Sequence, residues 1–212
     1  MPSRPLVFDL DGTLVDTLDD IAAHLNAALV DHGLAPRSRV EIAEWVGHGS
    51  ARLVERAVSE PAAVAAVLAS YRAHYHARPV VHARMYDGIA AALDALAPHH
   101  VLAILSNKPE PEVVAIAQAL LARWPFAVIA GERADVPRKP DPASIARVLA
   151  QLGASASAGA LVGDSEVDIA TARAAGMTSV AVTWGFRREA ALRAASPDHL
   201  VHAPAELAAL LD

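Results

Sequence analysis

The chain of 212 residues is 54% hydrophobic, which indicates a globular protein with one sizeable domain, or a domain that carries a smaller inserted one. A net charge of −6 without a block of lysine and arginine argues against nucleic-acid binding, and the absence of cysteine excludes disulfides and thiolate metal sites. No apolar stretch reaches the ~18 residues of a membrane span, and the N-terminus lacks a secretory-signal pattern. We therefore expect a cytoplasmic protein without a membrane partner.

Short apolar runs typical of buried parallel strands recur along the chain. They are LVFDL at 6–10, VLAIL at 101–105, FAVIA at 126–130, ALVGD at 160–164, SVAVT at 179–183 and a weaker HLV at 199–201. Helical patterns lie between them, at 88–97, 111–121, 142–152 and 167–175. Asp141 before Pro142 is a helix-start signal, and Gly176 is a helix-stop signal. This alternation predicts a doubly wound parallel α/β sheet.

One interval breaks the alternation, because residues from about Asp16 to Val81 show helical patterns but no convincing strand. Thr17 and Asp20 predict a capping box before the first of these helices. A loop of this length without structure would be improbable in a compact domain. The sequence therefore predicts a helical cap at 16–81, inserted after the first strand of an α/β core formed by 1–15 and 82–212.

Polar side chains follow the predicted strands at their C-terminal ends. Asp9 and Asp11 come after the first strand, Ser106 and Asn107 after VLAIL, and Asp164 after ALVG. In parallel sheets these ends meet at one edge, where ligands bind. Residues two apart in an extended strand point to the same side, so Asp9 and Asp11 can face Asp164 across one crevice. So many carboxylates need a cation, and Mg²⁺ fits because it prefers oxygen ligands shared with a substrate phosphate.

Lysine is rare in this chain, since only two of the 18 basic residues are lysines: Lys108 in SNKPEP and Lys139 in PRKPDP. A compact ammonium on a flexible stem serves where a planar guanidinium does not. For Lys108, the alternative is that a lysine occurs at this position by chance. Gly12 lets the backbone turn and expose amide hydrogens to an anion. A small anionic substrate in this acidic protein would need such local positive charge.

Four ordered motifs resemble those of the haloacid dehalogenase-like hydrolase superfamily. They are D-x-D-G-T after the first strand, Ser106 with Asn107, Lys139 before PDP, and GDSEVD at 163–168. More narrowly, FDLDGTLVDTLDDIAAHLNAAL, WVGHGSARLVERAV and SNKP are similar to bacterial phosphoglycolate phosphatases. The match spans nearly the whole chain, and the narrower match rests mostly on the helical insert.

The resemblance implies a role for each residue of these motifs. Asp9 would be the nucleophile that forms an aspartyl-phosphate, and Asp11 the general acid and base. Lys139 would neutralise charge on the nucleophile and on the transferring phosphoryl group. Thr13, Ser106 and Asn107 would bind the phosphoryl oxygens. The implied Mg²⁺ site comprises Asp9, Asp11 through its backbone carbonyl, Asp164 and Asp168.

The GHG turn at 47–49 could reach the far end of a substrate from the helical insert. His48 and Arg52 are candidates for binding a substrate carboxylate. The alternative is that the two glycines merely make a turn and that Arg52 is a surface residue.

The resemblance implies a Mg²⁺-dependent phosphomonoesterase for a small phosphorylated substrate, 2-phosphoglycolate above others. A sugar-phosphate mutase remains an alternative, since it can share all four motifs and a helical cap, as does a phosphatase for another small phosphoester or pyrophosphate. A signalling receiver domain would lack the long insert after its first strand. The sequence leaves the oligomeric state open, with a homodimer among the alternatives.

Overall fold

A computed structural model describes residues 4–211, and its central feature is a six-stranded parallel sheet. The strands in chain order are β1 (Arg4–Phe8), β2 (Val15–Asp16), β3 (Arg84–Met85), β4 (His100–Pro109), β5 (Phe126–Glu132), β6 (Ala160–Gly163), β7 (Thr178–Val182) and β8 (His199–Val201). The sheet order is β5-β4-β1-β6-β7-β8, with every pair parallel. Strands β2 and β3 form a separate antiparallel pair.

Helices follow most strands of the sheet. In chain order they are α1 (Leu18–Asp31), α2 (Arg39–Trp45), α3 (Ser50–Ala57), α4 (Val64–Ala77), α5 (Ile89–Leu96), α6 (Glu110–Leu120), α7 (Pro142–Leu152), α8 (Glu166–Ala175), α9 (Glu189–Ala194) and α10 (Ala205–Leu211). The predicted α/β fold with a doubly wound parallel sheet is confirmed. Within residues 4–211, no helix combines the length and the apolar character needed to cross a bilayer.

The two faces of the sheet are covered by different helices, which explains why the strands read as continuous apolar runs. Leu6 and Phe8 of β1 belong to a cluster that includes residues of α5, α6 and α1 to α4. Val7 points to the other face and packs with Ile145 and Val148 of α7. This alternation of side chains holds β1 at the centre of the molecule and fixes the position of the loop that follows it.

Two helix boundaries match their sequence signals. Helix α7 has the predicted bounds, and the Asp141 side chain caps it by accepting a hydrogen bond from the Ala143 amide at 2.9 Å. Gly176 ends α8 in the left-handed region, with φ of 71°. Strand β4, in contrast, continues to Pro109. Ser106 and Asn107 were predicted to follow this strand, but they lie within it.

The predicted capping box at Thr17 and Asp20 is wrong. The Thr17 side chain makes no cap and instead donates a hydrogen bond to the Asp11 carboxylate. Asp20 is buried and accepts hydrogen bonds from the amides of Val81, His82 and Ala83 at 2.8–3.0 Å. Both side chains find partners distant in the chain, which a local motif cannot show.

Helices α1 to α4 form the helical insert, which lies in the chain between β2 and β3. The pairing of Val15 with Met85 and of Asp16 with Arg84 brings the two ends of the insert together. Two-residue strands are too short to produce a readable pattern, and this pair was not predicted. The assignment of 16–81 as a separate cap domain stays a prediction.

Candidate active site

The loop after β1 carries two buried acidic residues at the centre of the sheet edge. The Asp9 amide donates to the Val162 carbonyl of β6 at 2.9 Å, which anchors the start of the loop. Gly12 adopts a positive φ of 85°, and a Cβ atom there would lie 2.3 Å from Asp164 Oδ2. The loop therefore needs glycine at this position both for its backbone conformation and for the approach of Asp164.

Three carboxylates converge beside this loop. Asp9, Asp164 and Asp168 are all buried, and each offers an oxygen atom within 4.8 Å of the others. Burial raises the pKa of Asp9 to about 7, with Lys139 opposing and Asp168 and Asp11 adding to the effect. Burial also raises the pKa of Asp164 well above its ordinary value. A divalent cation would relieve this cost, and an all-oxygen donor set of this kind fits Mg²⁺.

Asp168 holds two neighbouring groups in place. Its Oδ1 accepts a hydrogen bond from Lys139 Nζ at 2.7 Å. Its Oδ2 accepts from the Ser165 hydroxyl and amide, so Ser165 and Asp168 form a capping box at the start of α8. This geometry makes Asp168 a support for Lys139, and its role as a metal ligand stays a prediction.

Lys139 pairs with two carboxylates of the cluster, those of Asp9 and Asp168. Its Nζ lies 3.0 Å from Asp9 Oδ1, and the side chain is buried. Burial alone would lower the pKa of Lys139, but the carboxylates of Asp168 and Asp9 raise it above its ordinary value. Lys139 therefore carries its charge at neutral pH, next to the Asp9 carboxylate.

Asn107 uses its whole side chain to position two main-chain segments. Its Oδ1 accepts from the Lys139 amide at 2.9 Å, and its Nδ2 donates to the Lys139 carbonyl at 3.0 Å. Nδ2 also donates to the Gly47 carbonyl of the helical insert at 3.0 Å. Asn107 thus holds the backbone of Lys139 in register, and a contact of its own with phosphate stays a prediction.

The two predicted hydroxyl ligands differ in their access to the cavity, because Ser106 is among the residues that line it and Thr13 is not. Thr13 is fully buried, and within the part of the chain described its hydroxyl oxygen has no hydrogen-bond partner. The Ser106 hydroxyl lines the cavity and accepts a bond from the Lys108 amide at 3.2 Å. An unpaired buried hydroxyl is costly, so Thr13 has bonding capacity available for a ligand oxygen.

Lys108 pairs with the second aspartate of the loop. Its Nζ lies 2.9 Å from Asp11 Oδ1 and 3.0 Å from Oδ2, and 4.5 Å from the centre of the Tyr75 ring. Burial opposes the charge, but the Asp11 carboxylate raises the pKa of Lys108 above its ordinary value. The sequence left this lysine without a role, and its signals were its rarity and its place in the SNKP stretch.

A cavity of about 550 Å³, which includes space open to solvent, lies between the sheet edge and the helical insert. Asp9, Asp11 and Asp164 line its sheet side. The insert contributes Ile21, Val46, Gly47, Gly49, Ser50, Leu53 and Tyr71. The arrangement leaves space for a small ligand between the carboxylates and the helical insert.

His48 and Arg52 do not belong to this lining among the residues described. Arg52 pairs with Glu55 at 2.7 Å, and its side chain is 67% exposed. His48 Nε2 lies 3.6 Å from Glu166 Oε1, and burial lowers the pKa of its ring. Their contact with a substrate carboxylate stays a prediction.

Core side chains hold the insert through its main-chain carbonyls. Arg187 donates to the Ala43 carbonyl at 2.9 Å and to the Val46 carbonyl, and its Nε donates to Glu166 at 3.1 Å. Arg138 donates to the His48 carbonyl at 3.4 Å. Sequence reasoning missed both arginines, because a loop arginine belongs to no motif.

Comparison with known proteins agrees with this geometry. The family model for haloacid dehalogenase-like hydrolases matches residues 6–182. The chain belongs to this family. It is a hydrolase, and its motifs meet at one edge of the sheet, as the positions of the strand ends predicted.

Relatives of this hydrolase cover most of its length. A phosphoglycolate phosphatase of Rhodospirillum rubrum is 36% identical over 88% of this chain and 82% of the relative. One of Aquifex aeolicus is 31% identical over 99% and 97%, respectively. A crystal structure from Haemophilus somnus, described as a predicted phosphoglycolate phosphatase, has a TM-score of 0.91 at 27% identity, covering 100% of this chain and 99% of that one. The predicted similarity to phosphoglycolate phosphatases is thereby confirmed.

Proposed function

We propose that this haloacid dehalogenase-family phosphatase hydrolyses 2-phosphoglycolate to glycolate and phosphate, with Mg²⁺ and an aspartyl-phosphate intermediate. The observation that carries the proposal is the placement of Lys139 Nζ, 3.0 Å from Asp9 Oδ1 and 2.7 Å from Asp168, within the carboxylate cluster. A buried carboxylate paired with a fixed ammonium is prepared to receive an anionic phosphoryl group. The names of the relatives support the choice of substrate.

In the first step, an Asp9 carboxylate oxygen attacks phosphorus, and the bond from phosphorus to the substrate's bridging oxygen breaks. Asp11 donates a proton to that oxygen, which leaves as the alcohol. Lys139 stabilises the negative charge shared by Asp9 and the phosphoryl oxygens. Asp9 thereby carries the phosphoryl group, and Asp11 becomes a carboxylate.

In the second step, a water molecule attacks phosphorus and Asp11 accepts its proton. The bond between phosphorus and the Asp9 oxygen breaks, so phosphate leaves and both aspartates are restored. Thr13 and Ser106 would hydrogen-bond the phosphoryl oxygens in both steps, because Thr13 has an unused hydroxyl and Ser106 lines the cavity.

Asp9, Asp164 and the Asp11 carbonyl would hold Mg²⁺, with Asp168 in support. When bound, the ion offsets the negative charge that the carboxylates and the phosphoryl group bring together. The raised pKa values of Asp9 and Asp164 support this assignment, since both carboxyl groups resist ionisation without a cation.

We also propose that residues 16–81 act as a cap over a small substrate. The cytoplasmic location and the homodimer stay predictions.

The test is release of phosphate from 2-phosphoglycolate, sugar phosphates, nucleotides and pyrophosphate, with Mg²⁺ and with a chelator. We expect 2-phosphoglycolate to give the highest kcat/KM, and the chelator to abolish turnover. Asp9→Asn should fold normally and lack activity, because the amide is a poor nucleophile. Isomer formation from β-glucose 1-phosphate would support the mutase instead, and turnover by Asp9→Asn with a phosphoenzyme still detectable would contradict the assigned nucleophile.

A further inference from the structure

The cavity has a buried cation beside Asp11, which is Lys108. Among the described residues that line it, the cationic side chains are Lys108 and Arg187. The Arg187 guanidinium already donates to the Ala43 and Val46 carbonyls and to Glu166. Lys108 is the cation that faces the cavity with bonding capacity to spare.

Lys108 has one N–H group without an oxygen partner. An ammonium has three N–H donors, and within the described chain Lys108 Nζ bonds only the two Asp11 oxygens. The side chain is 6% exposed, so bulk water does not readily satisfy the third donor. The face of Tyr75 at 4.5 Å stabilises the charge without supplying an acceptor oxygen.

The position of Asp11 determines which part of a substrate can bind the free N–H group of Lys108. In the proposed reaction Asp11 gives its proton to the oxygen that joins phosphorus to the leaving group. A carboxyl oxygen of Asp11 and this bridging oxygen therefore lie within hydrogen-bonding distance, about 3 Å. Lys108 Nζ lies 2.9 Å from the same Asp11 carboxylate. A substituent on the carbon next to that oxygen therefore reaches Lys108, whereas a group at the far end of a long substrate does not.

We infer that Lys108 determines specificity by binding a carboxylate that the substrate carries on the carbon attached to its phosphorylated oxygen. The inference rests on the proposed function and deepens it, since 2-phosphoglycolate is the smallest ester of this kind. A carboxylate gives Lys108 a charge-assisted hydrogen bond in a site shielded from solvent. An alkyl group at the same place leaves the donor unpaired and lowers affinity.

A matched pair of non-hydrolysable ligands tests the inference. 3-Phosphonopropionate and propylphosphonate carry the same phosphonate and differ only in a terminal carboxylate or methyl group. Calorimetry with Mg²⁺ measures both Kd values without requiring turnover. We expect the wild type to bind the carboxylate ligand about 10–100-fold more tightly, the range expected for one hydrogen bond between charged groups.

In Lys108→Met the preference for the carboxylate ligand should fall to within about threefold of unity. A role limited to orienting Asp11 would change both Kd values alike and leave their ratio intact. If Lys108→Met does not fold, as judged by circular dichroism, Lys108→Gln replaces it, because the amide can still donate to Asp11 but has no charge. Retention of the wild-type ratio in the folded variant overturns the inference.

The same measurement on Arg52→Met tests the competing assignment, because Arg52 is the other residue predicted to bind the substrate carboxylate. Loss of the preference in Arg52→Met, with retention in Lys108→Met, overturns the assignment to Lys108. A wild type that binds both phosphonates equally overturns the inference, whereas phosphate release from 2-phosphoglycolate tests the proposed function separately. A wild type that shows the Lys108-dependent preference but releases no phosphate contradicts only the proposed function.

Discussion

Lys139 lies closer to Asp168 than to Asp9, with Nζ–Oδ1 distances of 2.7 and 3.0 Å. The lysine is thus held from the first turn of α8, and Asp168 is itself fixed by Ser165. The charge beside Asp9, the proposed nucleophile, therefore depends on a carboxylate that need not touch the substrate.

We expect Asp168→Asn to lower kcat for phosphate release by about 10–100-fold, the usual effect of removing a supporting carboxylate. Excess Mg²⁺ should not restore the rate, because the loss acts through Lys139. Asp164→Asn is the matched control, and its activity should require a much higher Mg²⁺ concentration. Full recovery of Asp168→Asn at high Mg²⁺ would show that Asp168 acts mainly on the metal.

The effect of Mg²⁺ on stability should depend on pH. Burial raises the pKa of Asp9 from 3.8 to about 7, and it also raises the pKa of Asp164. Between the unfolded and the folded pKa values, the metal-free folded protein therefore binds more protons than the unfolded chain. These groups contribute fully to stability at a pH below their unfolded-state pKa, and the contribution is lost as the pH rises through their folded-state pKa. Mg²⁺ binds the deprotonated groups and reverses the loss.

The Mg²⁺-induced rise in Tm should therefore be small near pH ~4.5 and increase toward pH ~7.5. Differential scanning calorimetry with Mg²⁺ and with a chelator measures it. Metal-free Asp164→Asn at the higher pH should be at least as stable as the wild type, because it lacks one buried charge. A rise in Tm independent of pH would argue against these carboxylates as the ligands.

Gly12→Ala should destabilise the protein and remove the Mg²⁺ effect on Tm. The new Cβ would lie 2.3 Å from Asp164 Oδ2, and the residue would keep a φ of 85°. Gly33→Ala separates these causes, since Gly33 has a φ of 70° but no atom within 4 Å of the added Cβ. That control should lose about 1–2 kcal/mol from backbone strain alone and retain its response to Mg²⁺. Equal behaviour of the two variants would contradict the close approach of Asp164.

Asp20→Ala should lower the free energy of unfolding by about 2 kcal/mol or more, since it leaves the amides of Val81, His82 and Ala83 without their acceptor. Asp19→Ala is the neighbouring control. Asp19 pairs with Arg39 on the surface, and its loss should cost about 0.2–1 kcal/mol. Urea unfolding compares the two, and similar losses would contradict the anchoring role of Asp20.

The strands and the motif residues could be predicted because their signals are local. Asp9, Asp164 and Lys139 follow or lie near recognisable apolar runs, and a parallel sheet brings strand ends to one edge. Contacts of individual side chains that do not follow from the meeting of strand ends could not be predicted. The partners of Lys108 and Asp20 lie in other parts of the chain, and only the fold shows that Lys108 meets Asp11.

The helical insert also shows where sequence reasoning reaches its limit. The GHG turn was predicted to reach the site, and Gly47 and Gly49 do line the cavity. The chemical emphasis on His48 and Arg52 came from their residue types. The structure directs Arg52 toward Glu55 and solvent, because their spacing of three residues on α3 favours a local ion pair.

The bonds from Asn107, Arg138 and Arg187 to the insert end on peptide oxygens of residues 43–48, a kind of atom that every amino acid supplies. Replacing side chains along that stretch would leave the acceptors where they are. Side chains on the surface of the insert that faces the cavity could therefore change, in evolution or by design, while the insert keeps its hydrogen bonds to the rest of the enzyme.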